Sequence, residues 1–266
     1  MDILTHTLSG VAVAAVVANY NQASSFRKSK IILAGAVGGA LPDIDALSMW
    51  SKFDQTIGSF FNLSHSGRVI YGSKFWYSHH AFFHSLIGSL ILCTLFLSLV
   101  YLIRGRKANM SLPGFTKSYS VFFIAFLLGY WAHLAGDLPT PSSVWGGIGL
   151  FWPSENYVGG YGKIWWWNNY DIFLLILFCI ILNVLLPAIS KYIRARSRIF
   201  TMSTACITLV LILVQINTRH YDYSYEGNSS NYAAMEKNSK EEQKRILGNR
   251  LYLYMNKLDR SLRINF

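Results

Sequence analysis

The chain has 266 residues, of which 52% are hydrophobic and only 14% charged, and its formal net charge is +11. A soluble domain carries roughly a quarter of its residues as charges, so the composition excludes an ordinary water-soluble enzyme and points to an integral membrane protein. Cys93, Cys179 and Cys206 all lie in apolar stretches, where they read as small core residues rather than a disulfide framework or a paired metal clip.

Six apolar segments follow in chain order: 3–20, 31–50, 84–103, 119–137, 171–190 and 200–217. Most approach the ~20 residues that cross ~30 Å of hydrocarbon. No basic stretch precedes segment 3–20, so it reads as a span rather than a cleavable leader. Segment 31–50 is irregular. Its clean apolar run stops at Pro42, after roughly 18 Å of helix at about 1.5 Å per residue. Proline followed by Asp43 and Asp45 predicts a break or kink inside the membrane boundary. Segments 84–103 and 171–190 are the cleanest spans. Loop 138–170 is rich in Gly and Trp, and Trp145, Trp152 and Trp165 to Trp167 read as an interfacial belt or a lid over the bilayer edge.

The tail 219–266 begins polar and Tyr-rich. From about 232 to 263 it carries Ile246, Leu247, Leu251, Tyr254, Leu258 and Leu262 at mixed helical spacing among charges. That pattern predicts one amphipathic helix, lying on the membrane or packed on the loops. Its charge reads as a solvated face, and no nucleic acid is expected as a partner. The expected fold is therefore all-α: a polytopic membrane bundle of about six transmembrane segments, with residues 1–218 as the membrane domain and 219–266 as a helical tail.

Basic residues orient the bundle. Arg27, Lys28 and Lys30 fall in one loop, Arg104, Arg106, Lys107 and Lys117 in another, and Lys191, Arg194, Arg196 and Arg198 in a third. The opposite loops hold only Lys52, Arg68, Lys74 and Lys163. By the positive-inside rule the three basic loops are cytoplasmic, and loops 51–83 and 138–170 lie outside. The tail, with the remaining basic residues, then also lies outside.

Four polar clusters interrupt the apolar segments: Thr5-His6, Asp43 with Asp45, His79-His80 with His84, and His133 with Asp137. The topology puts all four on the outer face, although the loop count made no use of them. His133 and Asp137 are i, i+4, as are His80 and His84, so one helical face presents each pair. Imidazoles and carboxylates gathered at one depth are ligands for zinc, with manganese or iron as other candidates. Each residue alone has a plainer reading. His6 can be interfacial, Asp43 or Asp45 can cap a helix, one of His79 and His80 can face solvent, and His133 can simply bond Asp137. Together, on one face, a metal site is the better account. His65 and His220 read as surface residues, Glu155 as solvated and Asp171 as an N-cap.

The order Thr5-His6-x-x-x-Gly10, Gly39-Ala-Leu-Pro42-Asp43-Ile-Asp45, His79-x4-His84-Ser85, His133-Leu-x-x-Asp137-x-x-Thr140 and Trp152-Pro153-Ser154 resembles the YdjM-like family of bacterial membrane-bound metal-dependent hydrolases. The resemblance covers roughly residues 4–157, and the segments after about 170 show no motif of it. The family looks distantly similar to zinc-dependent phospholipase C, a helical enzyme with clustered zinc. The resemblance implies metal ligands at His6, Asp43, His84, His133 and Asp137, with His79 and Asp45 as further members. Asp45 is the candidate general base or orienter of a histidine. The family's His-Arg-Gly is replaced by His79-His80-Ala81, so an anion clamp is missing unless a protonated His80 supplies it.

The function expected is hydrolysis of an ester, a phosphoester above all, in a membrane lipid or lipid-linked substrate. Two alternatives stand beside it: a metal-ion or proton transporter, and a stress-response membrane protein that binds metal without turnover. The cytoplasmic halves of the segments are nearly bare of polar residues, which argues against an ion pathway.

Overall fold

The structure is a computed structural model, and it describes residues 1–189 and 191–262. Position 190 of the expected segment 171–190 and positions 263–266 of the expected tail lie outside the described residues. The helices are α1 (Ile3–Tyr20), α2 (Ser25–Ala40), the short α3 (Gly67–Tyr71), α4 (Leu86–Val100), α5 (Leu112–Asp137), α6 (Tyr170–Ile189), the short α7 (Lys191–Ala195), α8 (Ser197–Asn217) and α9 (Tyr232–Leu262). No strand is present among the described residues, only isolated bridges in the loops. All six expected segments are helical. Among the described residues four helices are long and apolar enough to span, α1, Leu86–Gly105, α5 and α8, or five if α2 is joined to the bent segment after it. The apolar part of α6, Tyr170–Leu185, is shorter.

Local chemistry sets the helix ends. The Asp2 carboxylate accepts the Thr5 N–H at 2.8 Å and starts α1. Ser85 and Ser111 cap α4 and α5 in the same way, with Pro113 in the first turn of α5. Pro42 ends α2 as expected. The chain bends by 48° there and continues as a 3-10 segment, Pro42–Met49.

Small residues bring α1, α2 and α5 together backbone to backbone. A Cβ on Gly10 or on Gly129 would collide with the carbonyl oxygen of Gly35, and one on Gly38 with that of Phe126. Without hydrophobic drive inside a bilayer, such close approach lets van der Waals packing hold helices together. It also fixes the heights of the outer ends of the three helices relative to each other.

The basic loops gather at the opposite end. Arg27 donates to the Ser118 carbonyl, and Arg198 to that of Tyr20. The expectation that this half is bare of polar groups needs correction. Lys28 donates to Asn19 Oδ1 at 2.6 Å and to the Asn183 carbonyl at 3.0 Å, and Asn183 bonds both Thr201 and Thr204. Sequence pattern missed this network because its members are single polar residues on four different helices.

At the other end, loop 138–170 and α9 cover the bundle. Trp145 and Trp165 are buried inside this cover, so they are not a belt facing lipid. The tail packs on the loops and on α6, the second of its two expected placements. Its docking face is not the expected apolar stripe. Ser239, Glu242, Gln243, Tyr252, Met255 and Asp259 are buried, whereas Leu251, Tyr254, Leu258 and Leu262 are exposed. A break at Gly248 (φ 72°) re-aims the helix half-way along, which one continuous helical period cannot show. Asp171 is likewise not the expected N-cap. It receives Arg219 at 2.8 Å and Gln243 at 2.9 Å, with the Arg219 side chain shielded although the residue is half-buried, and so ties the tail to α6.

Candidate metal centre

Each polar cluster arrives on its own element. His6 lies in the first turns of α1, and Asp43 and Asp45 on the 3-10 segment behind Pro42. His79, His80 and His84 lie on the approach to α4, and His133 and Asp137 in the last turns of α5. The Tyr130 hydroxyl donates to the Phe83 carbonyl and holds the His84 turn against α5.

The expected ligands converge. His84 Nε2 lies 3.2 Å from His133 Nε2 and 3.5 Å from Asp137 Oδ2. His133 Nε2 is 3.1 Å from Asp137 Oδ2 and 3.7 Å from Asp43 Oδ1, and His84 Nε2 is 3.8 Å from Asp43 Oδ1. A tetrahedral metal with donors at about 2.1 Å has donor–donor edges of about 3.4 Å, which these separations bracket. His6 Nε2 reaches Asp137 Oδ1 at 2.9 Å, and its ring stacks on His133 with centroids 3.6 Å apart. His6, His133 and Asp137 form one possible ligand triad, Asp43, His84 and His133 a second, and His79, His80 and His84 a third.

Proton positions sharpen this picture. His133 Nδ1 faces the Gly39 carbonyl at 2.8 Å, and a carbonyl only accepts, so that nitrogen carries the proton. His84 Nδ1 faces Asp45 Oδ2 at 3.1 Å and donates to it. Both Nε2 atoms are then left to present lone pairs to the same point. Asp137 Oδ2 points there too. It lies 3.1 Å from His133 Nε2. Buried imidazoles and carboxylates gathered in this way form a cluster that takes a cation. The donor set and geometry therefore fit a divalent transition metal.

Asp45 and His79, the two further members, lie beside these ligands. Asp45 is fully buried, with Oδ1 on His79 Nδ1 at 2.6 Å and Oδ2 on His84. Both oxygens serve imidazoles, so of the two roles expected for Asp45 the geometry fits the orienter and not the general base. His79 lies against Tyr71 and Trp145 and lines a cavity of about 380 Å³, whose other walls include Asp43, Asp137, Trp166 and Tyr225. His80 requires correction. It is buried, bonds the Gly147 carbonyl at 3.0 Å through Nδ1, and belongs to the third triad. Burial, then His79 and His84, push its pKa well below 6.5, so it is neutral and supplies no anion clamp. His65, His220 and Glu155 are exposed, as expected. The N-terminal amine, which sequence reasoning did not consider, donates to Asp137 Oδ1 at 2.7 Å. Of the aromatic walls, Trp145 and Trp166 belong to the loop read as a belt or lid, whereas Tyr71 and Tyr225 carried no signal.

A model of the YdjM inner membrane protein family matches residues 1–221. The chain belongs to this family. The match runs well past the motifs at 4–157 and takes in α6 and α8, so the later helices belong to the family unit although they carry no motif. No curated protein and no solved structure matches the chain. The likeness to zinc-dependent phospholipase C therefore rests on motif order alone.

Proposed function

We propose that this YdjM-family protein is a metal-dependent hydrolase of the inner membrane that cleaves an ester, a phosphoester above all, in a membrane lipid or lipid-linked substrate. The observation that carries the reading is the convergence of His84, His133, Asp43 and Asp137 at metal-ligand separations from three different elements. These residues, with His6 beside Asp137, would hold zinc, manganese or iron. When bound, such an ion supplies Lewis-acid polarisation of a phosphoryl or acyl oxygen and acidifies water.

The chain's own groups do the rest. Asp45 holds the His79 and His84 rings in fixed tautomers, and Gly39 does so for His133. His79, backed by Asp45 and facing the cavity, is placed to take up or hand over a proton. The aromatic roof of Trp145 and Trp166 excludes water around the reacting group. By the positive-inside rule the centre faces the non-cytoplasmic side.

Transport is the weaker reading. Between His6 and the polar network at Asn19, α1 is lined by Gly10, Ala12, Ala14, Ala15 and Val17, about 20 Å without a buried titratable group on that helix. An ion pathway needs such groups along its depth. The deciding experiment measures metal content and phosphoesterase activity of purified protein in nanodiscs. Stoichiometric transition metal, and loss of both metal and activity in His133→Ala, are expected. Protein without metal, or a His133→Ala variant with undiminished activity, refutes the hydrolase.

A further inference from the structure

A second cavity of about 260 Å³ runs within the membrane-spanning helices beside the centre. Its floor is α1 at Ser9, Ala12, Val13 and Val16. One wall is α5 at Ala132, Ala135 and Gly136, and the other is α8 from Ala205 to Ile216 together with α6 at Ile172, Ile176 and Cys179. α5 and α8 stand on either side of α1 and barely touch, so a slot stays open to the bilayer where Ala135, Leu209 and Leu213 are exposed. The slot offers hydrocarbon almost throughout, and Ser9 spends its hydroxyl on the Thr5 carbonyl.

Its upper end abuts the metal centre. Met1 lines both cavities. Gly136 precedes Asp137 in the chain, and a Cβ placed on it would lie 3.0 Å from His6 Cε1. Backbone at Gly136 and the Met1 side chain, whose Cε would lie 2.8 Å from the same Cβ, separate the slot from the His6 ring.

We propose that this slot seats one acyl chain of a glycerophospholipid whose headgroup ester lies at the centre. The proposal rests on the hydrolase reading and names its substrate class. Three observations select this occupant. The slot abuts the centre at Met1 and Gly136. From Ala205 to Ile216 it is roughly 16 Å long at ~1.5 Å per residue, which is about half of a ~30 Å hydrocarbon core and so the depth of one leaflet. Its volume is below the ~300–1,000 Å³ of pockets that enclose a whole drug-sized ligand. One chain fits, and the open side leaves the second chain in the bilayer. The lipid enters sideways from the leaflet on the metal-centre side, without leaving it.

The test places the full chain in phosphatidylethanolamine and phosphatidylglycerol nanodiscs doped with a phospholipid bearing a diazirine near the end of one acyl chain. After photolysis, adducts are mapped by peptide mass spectrometry. The expected result is labelling of the α1 stretch 9–16 and the α5 stretch 132–136 well above that at Leu95 and Leu99, which face lipid at large. Val13→Trp fills the slot and should cut this labelling about tenfold, leaving Leu95 labelling and metal content unchanged. Leu213→Trp, from the opposite wall, should do the same and stands in if Val13→Trp does not fold. Equal labelling of slot and Leu95, or unchanged slot labelling in the filled variants, overturns the proposal. So does preferential labelling by a diazirine polyprenyl phosphate with none by the phospholipid. Because no turnover is read, chain seating in His133→Ala separates failure of this proposal from failure of the hydrolase.

Discussion

Asp45→Asn keeps the size of a fully buried side chain and removes its ability to accept two hydrogen bonds. In the native protein its oxygens take the Nδ1 protons of His79 at 2.6 Å and His84 at 3.1 Å. An asparagine has one acceptor and one donor end. One of the two rings must then present an unprotonated Nδ1 to the amide and move its proton to Nε2. If that ring is His84, the nitrogen beside His133 and Asp137 is blocked. If it is His79, His84 keeps its tautomer but loses a charged partner. Loss of such an orienting partner costs about 10–100-fold in metal affinity, or roughly 1.4–2.7 kcal/mol at ~1.4 kcal/mol per tenfold. The assay is competition with a chromophoric chelator on purified protein in nanodiscs. Asp54→Asn serves as control, because Asp54 bonds the Gly67 N–H and no histidine. Affinity of the Asp45→Asn protein within twofold of native, with the control also native, would refute the tautomer reasoning.

Other perturbations test other parts of the structure. Gly129→Ala drives a methyl into the Gly35 carbonyl, and overpacking of this kind should destabilise the bundle by about 1–3 kcal/mol; a detergent unfolding midpoint equal to native counts against the backbone-contact account. Arg219→Met leaves the Asp171 carboxylate buried without its cation, a loss of about 3–5 kcal/mol for a buried pair, so limited proteolysis should cut the tail far faster; an unchanged rate would mean that α9 is held elsewhere. Burial opposes ionisation of Glu242, but hydrogen bonds from Arg245 and the His220 N–H outweigh it and hold its pKa below 4.5. The stability from that carboxylate is fully present above pH 4.5 and is lost as pH falls through the lower folded value. Tail proteolysis should therefore be flat from neutral pH down to about 5 and rise only in stronger acid; a rise between pH 7 and 5 contradicts this sign. Single cysteines at Lys107→Cys and Arg194→Cys should react with impermeant reagent only from the cytoplasmic side, and labelling from outside inverts the topology.

The four polar clusters were legible in the sequence because each is local. His133 and Asp137 share a helical face by their spacing, and Pro42, well inside an apolar run and followed by two aspartates, marks a kink or an end. Apolar run lengths marked the helices, and loop charge gathered the clusters on one face. Which members touch was decided across the chain. Asp45 meets His79 and His84 over separations of 34 and 39 residues, and His6 meets Asp137 over 131. Those meetings depend on how deeply α1, α2 and α5 interlock through Gly10, Gly35 and Gly129, and helical period does not encode a depth of approach. The burial of His80 was not legible for the same reason, since its ring bonds the distant Gly147 carbonyl. The polar docking face of α9 depends on one φ angle at Gly248, and the apolar slot depends on α5 and α8 failing to meet. Sequence by itself therefore determined the membrane class, the helices and the inventory of candidate ligands. Tertiary structure alone decided which imidazoles and carboxylates converge, which rings Asp45 contacts, and where an apolar slot abuts the site, because these are properties of distances between segments rather than of any segment.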